Sequence, residues 1–143
     1  MGLFDRLRRA TGTKTAGYAD AEAAPGVVCS PATGRAMPLS DVPDPVFAQG
    51  ALGKGFGVKP SEGIAFAPVS GMVGVAFPTG HAFGISGDDG TEVLVHVGVD
   101  TVDMDGDGFE PLVQKGDHVR AGQPLVRFSP ERIAAAGHSD VVI

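Results

Sequence analysis

The chain has 143 residues, a net charge of −6, and 43% hydrophobic against 20% charged residues. This supports one folded domain rather than a disordered chain, and the acidic balance argues against a nucleic-acid ligand, which needs a basic face. A single cysteine, Cys29, excludes an intramolecular disulfide framework, and no apolar run approaches the ~20 residues of a membrane-spanning helix.

Residues 1–24 read as a mobile N-terminal segment. Within it, 2–10 is amphipathic: Leu3, Phe4 and Leu7 share one helical face, and Arg6, Arg8 and Arg9 lie elsewhere. A weak peripheral contact with anionic lipid and a frayed terminus both fit this pattern. Arg6 stands where a myristoylation site needs Ser or Thr. The start lacks the apolar core of a signal peptide, so a cytoplasmic location is expected. Residues 11–24 have no periodicity and read as a linker.

From Gly26 on, short apolar runs recur at 27–29, 56–58, 64–66, 72–77, 93–97 and 124–128, punctuated by many of the 22 glycines and 11 prolines. The expected fold is all-β, an antiparallel β-sandwich or barrel-sandwich with short helical turns. The 130-PERIAAA-136 stretch is the one candidate helix, and VVI at 141–143 reads as a last edge strand.

The segment 79-TGHAFGISGDDGTEVLVHVGVD-100 contains His81 and His96. Strands at 81–86 and 91–97, closed by Gly87-Asp88-Asp89-Gly90, would place His81 directly opposite His96. Directly opposed Cβ atoms are roughly 4.5–5.5 Å apart. A three- or five-residue loop would break this pairing. Alternation puts Val93, Val95, Val97 and Val99 on the core face. Leu94, His96, Gly98 and Asp100 take the other face, joined by Phe83 and by Thr79 opposite Gly98. Gly98 would leave open space beside His96.

Two imidazolium ions ~5 Å apart repel by about 3 kcal/mol at an effective dielectric near 20. The pair should avoid double protonation and titrate as a unit. One neutral imidazole is then free to take a phosphoryl group while the other steadies the added charge. From spacing alone, a hydrogen-bonded pair without chemistry, or a metal site, fits as well.

Other motifs carry less. Asp103, Asp105, Asp107 and Gly108 imitate a calcium loop, but Gln114 replaces the bidentate Glu, which leaves a polar turn. The 50-GALGKG-55 stretch lacks phosphate-loop spacing. Cys29 reads as a small core residue in a strand-like run. His118 and His138 read as solvated positions without a role.

EVLVHVGVDTV (92–102) and HAFGI (81–85) resemble the active-site strand and its companion in the glucose-family IIA proteins of the bacterial sugar phosphotransferase system. The likeness extends to MGLFDRL, VPDPVFAQGALGKGFGVKP, APVSGMV and GFEPLVQKGDHVRAGQPLVRF, in order along nearly the whole chain. The resemblance implies a IIA phosphocarrier domain over 25–143 with an antiparallel β-sandwich fold. It implies phosphorylation of His96 at Nε2, with His81 bonding the phosphoryl group and Thr79 orienting the pair. Asp44 and Asp100 would meet basic partner residues, and Val46, Phe47, Phe77, Leu94 and Val102 would form an apolar collar. Ala51 replaces part of the usual collar, and the chain stops soon after SDVVI, where some relatives continue.

The implied partners are phospho-HPr as donor and the IIB domain of a IIBC sugar permease as acceptor, with contact at the inner face of the membrane and further regulatory targets open. No cofactor is expected. Two rival readings remain. APVSG with KGDHVRAGQPL is similar to biotinyl and lipoyl carriers, yet Asp88-Asp89 stands where their modified lysine would be. A β-sheet zinc peptidase needs a His-x-His pair that the chain lacks, although His81 and His96 could share zinc with a partner protein.

Overall fold

The computed structural model describes residues 17–143. The amphipathic stretch 2–10 and most of the expected mobile segment therefore lie outside the described residues. Nine strands follow in chain order: β1 (Gly34–Pro38), β2 (Phe56–Pro60), β3 (Ile64–Phe66), β4 (Gly71–Ala76), β5 (Ala82–Gly87), β6 (Glu92–His96), β7 (Phe109–Pro111), β8 (His118–Val119) and β9 (Pro124–Phe128). Two short helices, α1 (Pro45–Ala48) and α2 (Pro130–Ala135), and two 3-10 turns, Leu39–Asp41 and Thr101–Met104, complete the described elements.

The strands form antiparallel sheets ordered β1-β2, β3-β9-β7 and β6-β5-β4-β8. The two larger sheets bury their apolar faces against one another. Val73, Phe83, Ile85, Val95 and Val119 of one sheet and Ala65, Phe66, Leu125, Val126 and Phe128 of the other belong to a single core. A fully buried aliphatic or aromatic side chain stabilises the fold by roughly 1.5–3 kcal/mol. This is the β-sandwich expected from the alternating apolar runs, five of which become β2, β3, β4, β6 and β9.

The structure corrects the expectations at 27–29 and 141–143. VVC at 27–29 is not a strand; Val27 and Val28 are exposed and Cys29 is half-buried. VVI at 141–143 is no edge. Val142 bridges both Val58 and Val97, is fully buried, and joins the β1-β2 ribbon to the large sheet. Residues 17–24 lack regular structure. They nevertheless touch the domain, with Ala19 N–H donating to the Gly122 carbonyl at 2.8 Å.

The two helices are set by their caps. Asp44 accepts from Val46 N–H at 2.8 Å and Phe47 N–H at 3.3 Å, with Pro45 in the first turn, so Asp-Pro starts α1. Ser129 caps α2 in the same way, accepting from Arg132 N–H at 3.2 Å. The 103–108 stretch begins in the second 3-10 turn and continues as a turn, where Asp107 pairs with Arg132 at 2.6 Å.

Candidate functional site

The β5–β6 hairpin differs from the expected one by a single residue. The pairs are Ser86↔Glu92, Ile85↔Val93, Gly84↔Leu94, Phe83↔Val95 and Ala82↔His96. Gly87 N–H donates to the Thr91 carbonyl at 2.7 Å, so the loop is the three-residue Asp88-Asp89-Gly90. Gly90 supplies the left-handed residue (φ +90°) that such a loop needs. A one-residue slip exchanges the faces of a strand. Phe83 therefore points into the core, fully buried opposite Val95, rather than onto the histidine face.

His96 and His81 meet by a different route. His81 precedes the first residue of β5, immediately after the turn in which Gly80 N–H donates to the Phe77 carbonyl. Its own carbonyl accepts from Val97 N–H at 2.7 Å. His81, Ala82 and Phe83 are all buried in succession, so strand alternation has not yet begun at His81. The turn swings its ring toward β6, and the two imidazole centroids lie 5.3 Å apart at an interplanar angle of 79°. Thr79 sits in the same turn, not across from Gly98, and shares a 2.6 Å hydrogen bond with His81 Nδ1.

The His96 tautomer follows from its neighbour. A carbonyl only accepts, so the 2.7 Å bond from His96 Nδ1 to the Gly98 carbonyl places the hydrogen on Nδ1. In the neutral ring the lone pair then belongs to Nε2. Burial lowers the His96 pKa below 6.5, and the Gly98 carbonyl and the charges of Asp44 and Asp100 partly oppose it. The His81 pKa is also lowered, by burial first and by the charge of His96 second. Both rings are therefore mainly neutral near pH 7.

The space beside Gly98 is not open. A Cβ there would lie 2.3 Å from Thr101 Cγ2 and 2.9 Å from the Ser139 carbonyl oxygen, and φ is +80°. Gly98 thus makes a close approach that only glycine allows. Thr101, which the sequence reading passed over, is fully buried and donates from Oγ1 to the Val97 carbonyl.

Around the rings, Phe47 of α1 is buried with its ring 5.0 Å from His96, and Phe77 lies 5.1 Å from His81. Val46, Phe77, Leu94 and Val102 are large apolar side chains that remain 41–52% exposed. Leu94 shares the strand face of His96, and Asp100 is exposed at the start of the 3-10 turn. Ala51 is small, but its neighbour Leu52 is exposed and lines a cavity of about 450 Å³ together with Phe47 and Leu94. Turn signals at 50–55 hid Leu52 from the sequence reading.

Among the described residues, no three His, Cys, Asp or Glu side chains converge to hold a metal ion. The hairpin tip presents Asp88 and Asp89, and His118 Nε2 lies 3.0 Å from Asp88. His118 is thus paired at a strand end, on β8 beside β4.

Comparison with known proteins shows the family. Residues 26–143 match the family model for the phosphoenolpyruvate-dependent sugar phosphotransferase system, EIIA 1. The chain is 52% identical over 106 residues to the PTS system glucose-specific EIIA component of Staphylococcus aureus strain COL, covering 74% of this chain and 64% of that one. It is 49% identical, with the same coverage, to the protein of that name from Staphylococcus epidermidis strain ATCC 12228. The chain thus spans 64% of the length of these curated relatives. Among solved structures, glucose permease IIA from Mycoplasma capricolum superposes with a TM-score of 0.77 at 40% identity, covering 82% of this chain and 77% of that chain. With a family model matching from Gly26 to Ile143, the chain belongs to the EIIA 1 family of the phosphoenolpyruvate-dependent sugar phosphotransferase system.

Proposed function

We propose that this chain is a phosphocarrier that accepts a phosphoryl group on His96 Nε2 from phospho-HPr and passes it to the cysteine of a IIB domain. The observation that carries this reading is the 2.7 Å bond from His96 Nδ1 to the Gly98 carbonyl, which leaves Nε2 as the nucleophile. The Nε2 lone pair attacks phosphorus, and the P–N bond of the donor breaks with its electron pair returning to the donor imidazole. In the second transfer a cysteine thiolate of the IIB domain attacks, and the P–Nε2 bond breaks.

His81 steadies the migrating group. When its Nδ1 accepts a hydrogen bond from the Thr79 hydroxyl, its own hydrogen sits on Nε2 and hydrogen-bonds a phosphoryl oxygen. Such transfer depends mainly on positioning and charge stabilisation. Val46, Phe47, Phe77, Leu94 and Val102 serve as the apolar docking collar. They exclude water from the labile P–N bond while a partner is bound. Asp44 and Asp100 meet basic partner residues, which speeds encounter more than it tightens binding.

No helix among the described residues is long and apolar enough to cross a membrane. The proposed site of action is the cytoplasm, with transient contact at the inner membrane face through the permease. The glucose-specific names of the relatives make glucose the first sugar to test.

The test is incubation with enzyme I, HPr and phosphoenolpyruvate, followed by intact-mass measurement. The parent should gain one phosphoryl group, labile to heat and acid. His96→Gln should gain none. Equal labelling of that variant would refute the assignment.

A further inference from the structure

The residues that hold the Gly98 carbonyl against His96 lie far along the chain. The Gly98–Val99 peptide unit bonds on both sides: its carbonyl accepts from His96 Nδ1 at 2.7 Å, and its N–H, that of Val99, donates to the Ser139 carbonyl at 3.0 Å. Gly98 N–H donates to the Val141 carbonyl at 2.8 Å. His96 and Ile143 exchange two further backbone bonds, each 2.8 Å. The backbone of the acceptor histidine and of the two glycine-side peptides is therefore bonded to residues 139–143.

Asp140 sits between the two carbonyls that matter, those of Ser139 and Val141. Its side chain is buried and is engaged by Lys59 Nζ from β2. On either side of that pair, Val58 and Val142 exchange backbone bonds of 2.7 and 2.9 Å. An ion pair, beside the buried side chains of Val141 and Val142, thus anchors the segment that orients Gly98. Neither residue touches either histidine in any contact described above.

We propose that Lys59 and Asp140 are positioning residues for phosphoryl transfer. Their ion pair fixes the Ser139 and Val141 carbonyls, these fix the Gly98–Val99 peptide, and that peptide holds the hydrogen of His96 on Nδ1. Hydrogen bonds in series polarise one another, so donation to Ser139 also strengthens the Gly98 carbonyl as an acceptor. Removal of Lys59 leaves a buried carboxylate unpaired, and its most direct relief is movement toward water, which displaces both flanking carbonyls. This inference rests on the phosphocarrier reading only for its consequence on rate; the tautomer itself is a property of the resting protein.

The test has two independent readouts on the full chain. Long-range proton–nitrogen spectra of the unphosphorylated protein report which His96 nitrogen carries hydrogen. Single-turnover labelling by phospho-HPr reports the transfer rate. In the parent, His96 should show the Nδ1–H form. Lys59→Met, at an exposed side chain on β2, should keep the fold yet average the two nitrogen shifts of His96. Its transfer rate should fall roughly tenfold, less than the ~100-fold cost of displacing reacting groups by 1 Å, at unchanged half-saturation for the donor.

Lys59→Arg should restore both signals. Asp140→Asn, which keeps the shape and loses the charge, should behave like Lys59→Met. A parent-like His96 spectrum in both Lys59→Met and Asp140→Asn would overturn the proposal. If the parent itself is never labelled, the phosphocarrier reading fails, while the spectra alone still decide the relay.

Discussion

Gly98→Ala is the sharpest test of the site's construction, because its cost separates into two parts that a second glycine can isolate. Gly98 has φ +80°, and a methyl group added there would sit 2.3 Å from Thr101 Cγ2 and 2.9 Å from the Ser139 oxygen. Gly90, at the hairpin loop, has φ +90° but nothing within 4 Å of the same position. Gly90→Ala should therefore lose only the backbone term, about 1–2 kcal/mol. Gly98→Ala should lose that and the overpacking of a tightly filled space, a further 1–3 kcal/mol or so, for about 2–5 kcal/mol in all.

Urea unfolding with a common slope measures both. Thr101 donates to the Val97 carbonyl and so cannot rotate away without breaking that bond. The backbone at 98 must move instead, carrying its carbonyl away from His96 Nδ1. Phosphoryl uptake should therefore drop far more in Gly98→Ala than in Gly90→Ala. Equal stability losses in the two variants would refute the close approach; an unimpaired transfer rate in a destabilised Gly98→Ala would refute its link to His96.

Two further predictions follow from charge. Both histidines titrate below 6.5 in the folded protein, through burial first, whereas in the unfolded chain they titrate near 6.5. As pH falls below that value the unfolded state binds protons first, so their contribution to stability is intact above about 6.5 and is lost as pH falls through the folded pKa values. Urea midpoints across this range should decline on the acid side, and a His81→Ala/His96→Gln double variant should decline less. Asp44 acts both as a cap and as a charge that raises the His96 pKa. Asp44→Ala should cost about 1 kcal/mol and shift the His96 titration to lower pH. Asp44→Asn should keep most of the cap yet show the same titration shift, and an unmoved His96 titration in both would sink the electrostatic part.

Much of this molecule could be read before folding. Alternating valines and regular glycine punctuation favour strands, because burial of one face needs only a period of two. That periodicity placed β2, β3, β4, β6 and β9, and the Asp-Pro and Ser-Pro pairs at 44–45 and 129–130 carry cap signals just as local. Hairpin spacing alone pairs His81 with His96, and the structure brings their rings to 5.3 Å, although not through the expected register.

What the linear chain left undecided depends on contacts between distant residues. Whether the hairpin loop holds three residues or four turns on one backbone bond, Gly87 to Thr91, and that choice decides whether Phe83 faces the core or the histidines. The fate of 141–143 turns on two strands, β2 and β6, both of which have unpaired edges until Val142 lies between them. The His96 tautomer depends on a peptide oriented from residue 139. Local sequence sets which residues want to be strand, cap or turn; the His96 tautomer is chosen only when residues 139–143 dock, because a hydrogen bond is sensitive to angles that no local preference fixes.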